Sequence, residues 1–126
     1  MNRVKTTAPV LEKLQNDWID GLLAYEEQLQ NIDTITAQLQ SSVNDLHFQR
    51  ELQQLRSEIV MRKNVVSVLC DEVIHLKKIF ENSHKKQNIT LDVLIENNRF
   101  REKIRKTEQS VFMLKYQANK FLSIAS

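Results

Sequence analysis

The side chains with the greatest potential for chemistry in this sequence are a cysteine and two histidines, Cys70, His75 and His84. A zinc site needs ligands at short spacings such as CxxC or HxxxH, and neither spacing occurs in the chain. On a helix, Cys70 and His75 would point about 140° away from each other. Asp71 and Glu72 each lie within helical reach of His75, which is typical of a surface ion pair rather than of a nucleophile and its base. We therefore predict no metal, no cofactor and no catalytic residue, and we do not expect an enzyme.

A second group with potential chemistry is a run of cations between residues 99 and 106, which holds five cations and one acid. Such patches bind phosphate backbones by releasing counterions. Asn98 and Lys106 have the spacing found in bZIP basic regions, which the run resembles in this respect, but the leucine expected ten residues later is Tyr116. A charge run on a long helix is usually its solvated face, so nucleic acid is not the expected partner. The residues of this possible basic patch are Arg99, Arg101, Lys103, Arg105 and Lys106.

The composition limits the elements that could position any site. The 126 residues include one glycine and one proline, where average usage would give about nine and about six. Sheets, hairpins and nucleotide-binding loops need glycine for their turns, whereas long helices do not. An apolar share of 41% and a charged share of 27% are typical of neither a membrane protein nor a disordered tail. We predict an all-α fold.

The cysteine count and the N-terminal residues favour a reducing compartment. The single cysteine excludes an internal disulfide. The first residues carry charge without an apolar core behind it, so no signal peptide is visible, and no apolar run is long enough to span a bilayer. We therefore expect a cytoplasmic or nuclear protein with no membrane span.

The middle of the chain carries an unbroken apolar pattern whose members alternate three and four residues apart over four heptads. Its average spacing of about 3.5 residues produces the seam through which helices pair in a coiled coil. The members of this second seam are Leu52, Leu55, Ile59, Arg62, Val66, Leu69, Val73, Leu76 and Phe80.

Two similar seams flank it. Those members of the first seam that we expect at an interface are Trp18, Leu22, Tyr25, Leu29, Ile32 and Leu39. Those of the third seam are Phe100, Ile104, Val111, Leu114 and Phe121, and Asn97 is a polar member of the same seam. The first and second seams are out of phase near residues 46–52, so the helix either rotates its buried face there or breaks near residues 41–45.

These patterns predict four segments. Residues 1–8 are expected to be flexible, residues 9–81 to form one long helix or two, residues 82–88 to form a polar turn, and residues 89–125 to form a C-terminal helix. One compatible architecture is a coiled-coil hairpin, in which much of the first seam needs a partner chain. The other is an antiparallel three-helix bundle similar to a spectrin-type repeat.

The seams favour a non-enzymatic structural subunit of a multi-protein helical assembly, of the cytoskeletal, spindle, kinetochore, vesicle-tethering or organelle-tethering kind. Its partners would be other coiled-coil subunits, with a hetero-oligomer favoured over a homo-oligomer, and the seam residues would contact their helices. Arg62 and Asn97 are the polar seam residues that could fix register and specificity; alternatively, Arg62 snorkels and Asn97 lies where the seam is wet. The alternatives are a nucleic-acid- or filament-associated helix using residues 99–106 and an autonomous helical-bundle adaptor.

Overall fold

A computed structural model describes residues 8–83 and 91–125. They form three long helices, α1 (Ala8–Ser42), α2 (Leu46–Ser83) and α3 (Leu91–Ala125), and no strand occurs within these ranges. The prediction of an all-α fold is confirmed. The predicted polar turn begins inside α2, since residues 82 and 83 are helical, and its remainder lies outside the described residues. Most of the predicted flexible N-terminus, residues 1–7, also lies outside them.

The chain changes direction between α1 and α2 at residues 43–45, which are not helical. Near the end of α1, the hydroxyls of Ser41 and Ser42 donate to the backbone carbonyls of Gln38 and Leu39 at 2.8 Å and 3.0 Å. Hydroxyls that bond to the preceding turn in this way compete with the helical hydrogen bonds of the backbone. Of the two possibilities that the phase change leaves open, the structure has two helices with a break.

Asp45 supplies the cap from which α2 starts. Its Oδ1 accepts hydrogen bonds from the backbone N–H of His47 at 2.9 Å and of Phe48 at 3.3 Å. These are donors in the first turn of a helix, which have no partner within the helix itself. The Gln49 side chain also donates to the backbone carbonyl of Val43, so the turn is closed by polar groups and contains neither glycine nor proline.

Helices α1 and α2 run antiparallel, as the polar contacts between them show. Arg56 in the first half of α2 donates to Gln40 near the end of α1 at 2.5 Å. Lys63, further along α2, donates to Gln30, earlier in α1, also at 2.5 Å. Because later residues of one helix meet earlier residues of the other, the two helices form a hairpin.

Helix α3 packs antiparallel to α2 and parallel to α1. Lys103 Nζ lies 3.7 Å from a carboxylate oxygen of Glu72 on α2. On the other side, Lys115 Nζ donates to Gln28 Oε1 of α1 at 3.2 Å. Each helix therefore contacts both others, and the chain adopts the antiparallel three-helix bundle rather than a hairpin with an uncovered first seam.

The core of the bundle is built from the apolar stripes of all three helices. Leu22 and Leu29 of α1 and Ile59 and Val66 of α2 are fully inaccessible to solvent, and Val111 of α3 is nearly so. Burying a side chain of this kind stabilises the folded state by about 1.5–3 kcal/mol. A heptad spacing along each helix keeps these side chains on the axis of the bundle over its whole length.

Candidate functional site: the groove between α2 and α3

The residues predicted to contact partner helices lie instead inside the chain's own bundle. Those that are buried are Trp18, Leu22, Leu29, Leu52, Leu55, Ile59, Val66, Leu69, Val73, Phe80, Phe100, Ile104, Val111 and Leu114. Those that are half-buried and pack against the core are Tyr25, Ile32, Leu39, Leu76 and Phe121. Each helix covers the seams of the other two, so in this arrangement the seam side chains do not form a surface for another chain. A partner that binds the bundle in this form would contact other residues, and the predicted contact of the seams with partner helices stays a prediction.

Asn97 is buried and faces α1 rather than solvent. Gln15 Nε2 donates to Asn97 Oδ1 at 3.3 Å, and Asn97 Nδ2 donates to the backbone carbonyl of Val93 at 2.7 Å. Gln15 itself was not among the predicted site residues, because Leu14 beside it is the more apolar choice for the seam. A strict seam, which steps four residues and then three residues along the chain from Leu11, passes through Gln15 and reaches Trp18. The predicted register residue thus has a partner within its own chain.

The basic patch does not form one surface. Arg99, Lys103 and Lys106 share one side of α3 because they are four and three residues apart, whereas Arg101 and Arg105 share another. Acids neutralise three of the five cations: Arg99 pairs with Glu96 at 3.2 Å, Lys103 with Glu72 at 3.7 Å, and Arg105 with Glu102 at 3.3 Å. The cations that the sequence places in a row are therefore divided between two faces.

Cys70 and His75 are separated by the fold. Cys70 is buried while His75 is exposed. Burial raises the pKa of the Cys70 thiol, and the negative charges of Glu26 and Asp71 raise it further, so the thiol stays protonated and is a weak nucleophile at neutral pH. Within residues 8–83 and 91–125, no group of three or more His, Cys, Asp or Glu side chains is placed to hold a metal ion.

Tyr25 links α1 to α3 through Glu108. Partial burial raises the pKa of the Tyr25 phenol, and the Glu108 carboxylate raises it further by its charge and by accepting the phenolic hydrogen bond. A neutral phenol beside a carboxylate is a polar contact between the two helices. It helps to close the side of the bundle between α1 and α3.

The side between α1 and α2 is closed by polar side chains. Asp33 of α1 lies 3.7 Å from Arg56 and 3.6 Å from Lys63 of α2, and Gln40 accepts from Arg56. A cleft on this side is lined mainly by charged and amide groups, with Leu23 its one large apolar member. The exposed apolar side chains on this side include Leu23 and Val60, and Val60 lies between Arg56 and Lys63 along α2.

The side between α2 and α3 is different, because a row of apolar side chains stands exposed along it. Met61, Val65 and Val68 of α2 are four and three residues apart, and Met61 and Val68 are 62% and 56% exposed. Met113 of α3, which is 52% exposed, lines the same cleft as Met61. Buried Leu69 and Leu114 form part of the floor. We call this surface the α2–α3 groove.

The groove extends along the length of the two helices. Two central clefts of about 650 and 490 Å³ contain Met61 and Val65. Further clefts between the same helices lie towards either end, one lined by Leu55 and Phe121 and the other by Ile79 and Phe100. A long, shallow and partly apolar channel of this kind fits a second helix better than a small molecule, which needs a more enclosed pocket.

Arg62, the other predicted register residue, is half-buried at the edge of this groove. It lines both central clefts together with Lys106 of α3. Its place on α2 is in the seam, but its side chain reaches the groove, where a long stem can lie along apolar surface while the guanidinium meets water.

No helix in the described part of the chain is long and apolar enough to cross a membrane. Comparisons with protein-family models, with curated proteins and with solved structures give no significant match.

Proposed function

We propose that this protein is a non-enzymatic helical-bundle subunit of a multi-protein assembly, and that it binds a helix of another protein in the α2–α3 groove. The observation that carries the proposal is the exposed row Met61, Val65 and Val68 along clefts with an apolar floor, one of which Met61 shares with Met113 of α3.

The spacing of this row matches what a docked helix requires. An amphipathic helix is recognised through side chains three, four and seven residues apart, and Met61, Val65 and Val68 repeat at these intervals. A helix laid between α2 and α3 would extend three packed helices to four, which is a stable arrangement for apolar seams. Burying each exposed side chain of the row would contribute on the order of 1 kcal/mol, and methionine adapts to helices of varied shape.

The alternative of a nucleic-acid- or filament-binding helix has less support. Three of the cations in the basic patch are neutralised by acids, and the patch is divided between two faces of α3. A phosphate backbone needs several unpaired cations on one surface. The alternative of an autonomous bundle adaptor agrees with the proposal, because the seams are covered within one chain.

The setting that we propose for the bundle is a helical assembly of the cytoskeletal, spindle, kinetochore or tethering kind, with partners that differ from this chain. Small subunits of such assemblies are short, glycine-poor and rich in heptads, as this sequence is. Selectivity among their many similar helices comes from the groups that flank the apolar contacts.

The test is site-directed photo-cross-linking in extract of the source cells, with a photoreactive residue placed in turn at three exposed apolar positions. Val68 lies in the groove, Leu23 lies in the polar cleft between α1 and α2, and Phe112 lies on α3 outside the clefts that define the groove. The three side chains are similarly open to solvent, at 56%, 50% and 68%. We expect a discrete cross-linked protein from position 68 and none from positions 23 and 112.

The matched substitution Val68→Glu should abolish co-purification of that protein, while Leu23→Glu should leave it intact, and both variants should keep the helical circular dichroism of the parent. Cross-links from position 23 or 112 without any from position 68 would contradict the proposal. So would a partner that tolerates Val68→Glu.

A further inference from the structure

The charges along the α2–α3 groove are arranged in three zones. The centre is lined by Arg62, Lys103 and Lys106, with Glu58 and Glu72 the acids beside them. Within the described residues, Arg62 and Lys106 make no ion pair, whereas Lys103 is paired with Glu72. Among the described residues, the centre therefore has two cations and one acid, Glu58, without an ion pair, and its net charge is positive.

Both ends of the groove carry acids instead. Towards the end of α2, the cleft that contains Ile79 is lined by Glu72, Asp92 and Glu96 and by no lysine or arginine. Glu72 is paired with Lys103 and Glu96 with Arg99, so among the described residues Asp92 is the acid of this cleft without an ion pair. Towards the start of α2, the cleft that contains Phe121 has two acids, Glu51 and Glu58, and one cation, Lys120. From the end of α2 to its start, the lining of the groove is therefore acidic, then basic, then weakly acidic.

We infer that the occupant of the groove is an amphipathic helix of a different protein, with acidic residues beside the middle of its apolar stripe and basic residues towards its ends. The inference rests on the proposed function and adds the chemistry by which the partner is recognised. Charges that flank an apolar contact contribute most to orientation and to the choice of partner, because opposed like charges are penalised.

The same pattern argues against a second copy of this chain. In a two-fold dimer whose axis passes through the middle of the groove, each surface would meet its own image. The cationic centres containing Arg62 and Lys106 would then face each other, and the acidic cleft of Asp92 and Glu96 would face the acidic cleft of Glu51. In that arrangement no zone would meet its complement, which favours a partner of different sequence over a symmetric pairing of two grooves.

The test uses two synthetic helical peptides of identical composition and identical leucine seam. In the first peptide, glutamates flank the seam in the middle and lysines flank it at the ends; in the second, these charges are exchanged. Binding to the full chain is measured by fluorescence anisotropy at low and at high salt. We expect the first peptide to bind about tenfold more tightly at low salt, and the difference to shrink at high salt because the charges are exposed and screened.

Substitutions on the protein provide the matched control. Arg62→Glu with Lys106→Glu should reverse the preference between the peptides. Arg101→Glu with Arg105→Glu makes the same change in net charge on another face of α3 and should leave the preference unchanged. Circular dichroism on both variants establishes that the bundle is intact.

Two failures can be distinguished. Equal binding of the two peptides at low salt, with both lost on Val68→Glu, would overturn the charge inference while leaving the proposed groove in place. Failure of both peptides to bind would overturn the groove as a helix-binding site and the inference with it. A dimer of the protein that Val68→Glu dissociates would show that the groove binds a second copy, which would also overturn the inference.

Discussion

Gln15 and Asn97 form a polar contact inside an otherwise apolar core. Both residues are almost fully buried, and they share one hydrogen bond between α1 and α3. Gln15 Oε1 is buried without a hydrogen-bond partner among the described residues. A buried polar group that lacks its partner destabilises the folded state, whereas a polar pair can hold two helices in one register.

We predict a non-additive result when this pair is replaced. Asn97→Leu alone should lower the free energy of unfolding by about 1–3 kcal/mol, because the Gln15 amide loses its acceptor inside the core. Adding Gln15→Leu should recover that loss or exceed the parent stability, because no polar group then remains unsatisfied. Denaturant unfolding of both single variants and the double variant measures this. Independent, additive losses would show that the two side chains are not coupled.

The role of Asn97 illustrates what could be predicted for a single residue. Its seam position and polarity mark it as a potential register residue in the sequence alone. Its partner could not be found this way, because hydrogen bonding between Gln15 and Asn97 depends on the axial offset of α1 against α3. That offset is a property of the assembled bundle. The register role itself stays a prediction, which the replacement of the pair tests.

At the level of elements, the break between α1 and α2 determines whether the chain is a rod or a bundle. The shift of apolar phase near residues 46–52 indicates that something changes there. It could not decide between rotation and a break, because the segment contains neither glycine nor proline. The decisive groups are small polar ones, with Asp45 capping the first turn of α2.

We expect Asp45→Ala to lower the free energy of unfolding by about 1 kcal/mol, since it removes the acceptor for two backbone donors of α2. Asn44→Ala, at the exposed neighbouring position, is the matched control and should change the stability much less. Thermal or denaturant unfolding followed by circular dichroism measures both. Equal effects of the two substitutions would mean that the cap does not stabilise the start of α2.

At the level of the whole molecule, the heptad seams predicted long helices but not which chain would cover them. An apolar residue at a seam position makes the same contact with a helix of its own chain as with one of another chain. Three stripes of similar length can cover each other only if the chain turns twice. The sequence predicts a turn at residues 82–88 but leaves open whether the helix breaks near residues 41–45. The interface predicted at Leu22, Ile59 and Val111 is therefore an interface within one chain.

The α2–α3 groove could not be predicted from the sequence for a related reason. Arg62 and Lys106 are far apart along the chain and become neighbours only when α3 packs beside α2. Met61, Val65 and Val68 lie beside the second seam rather than in it, so a search for seams passes over them. Surfaces that depend on two helices become visible only in the folded bundle.

Sedimentation equilibrium of the purified chain over a wide range of concentrations tests most directly whether one chain covers its own seams. We predict a single folded species with the mass of one chain, 14.8 kDa, at every concentration, with its helical circular dichroism unchanged on dilution. An oligomer that dissociates on dilution and loses its helices as it does so would contradict this, because the seams would then need a second chain.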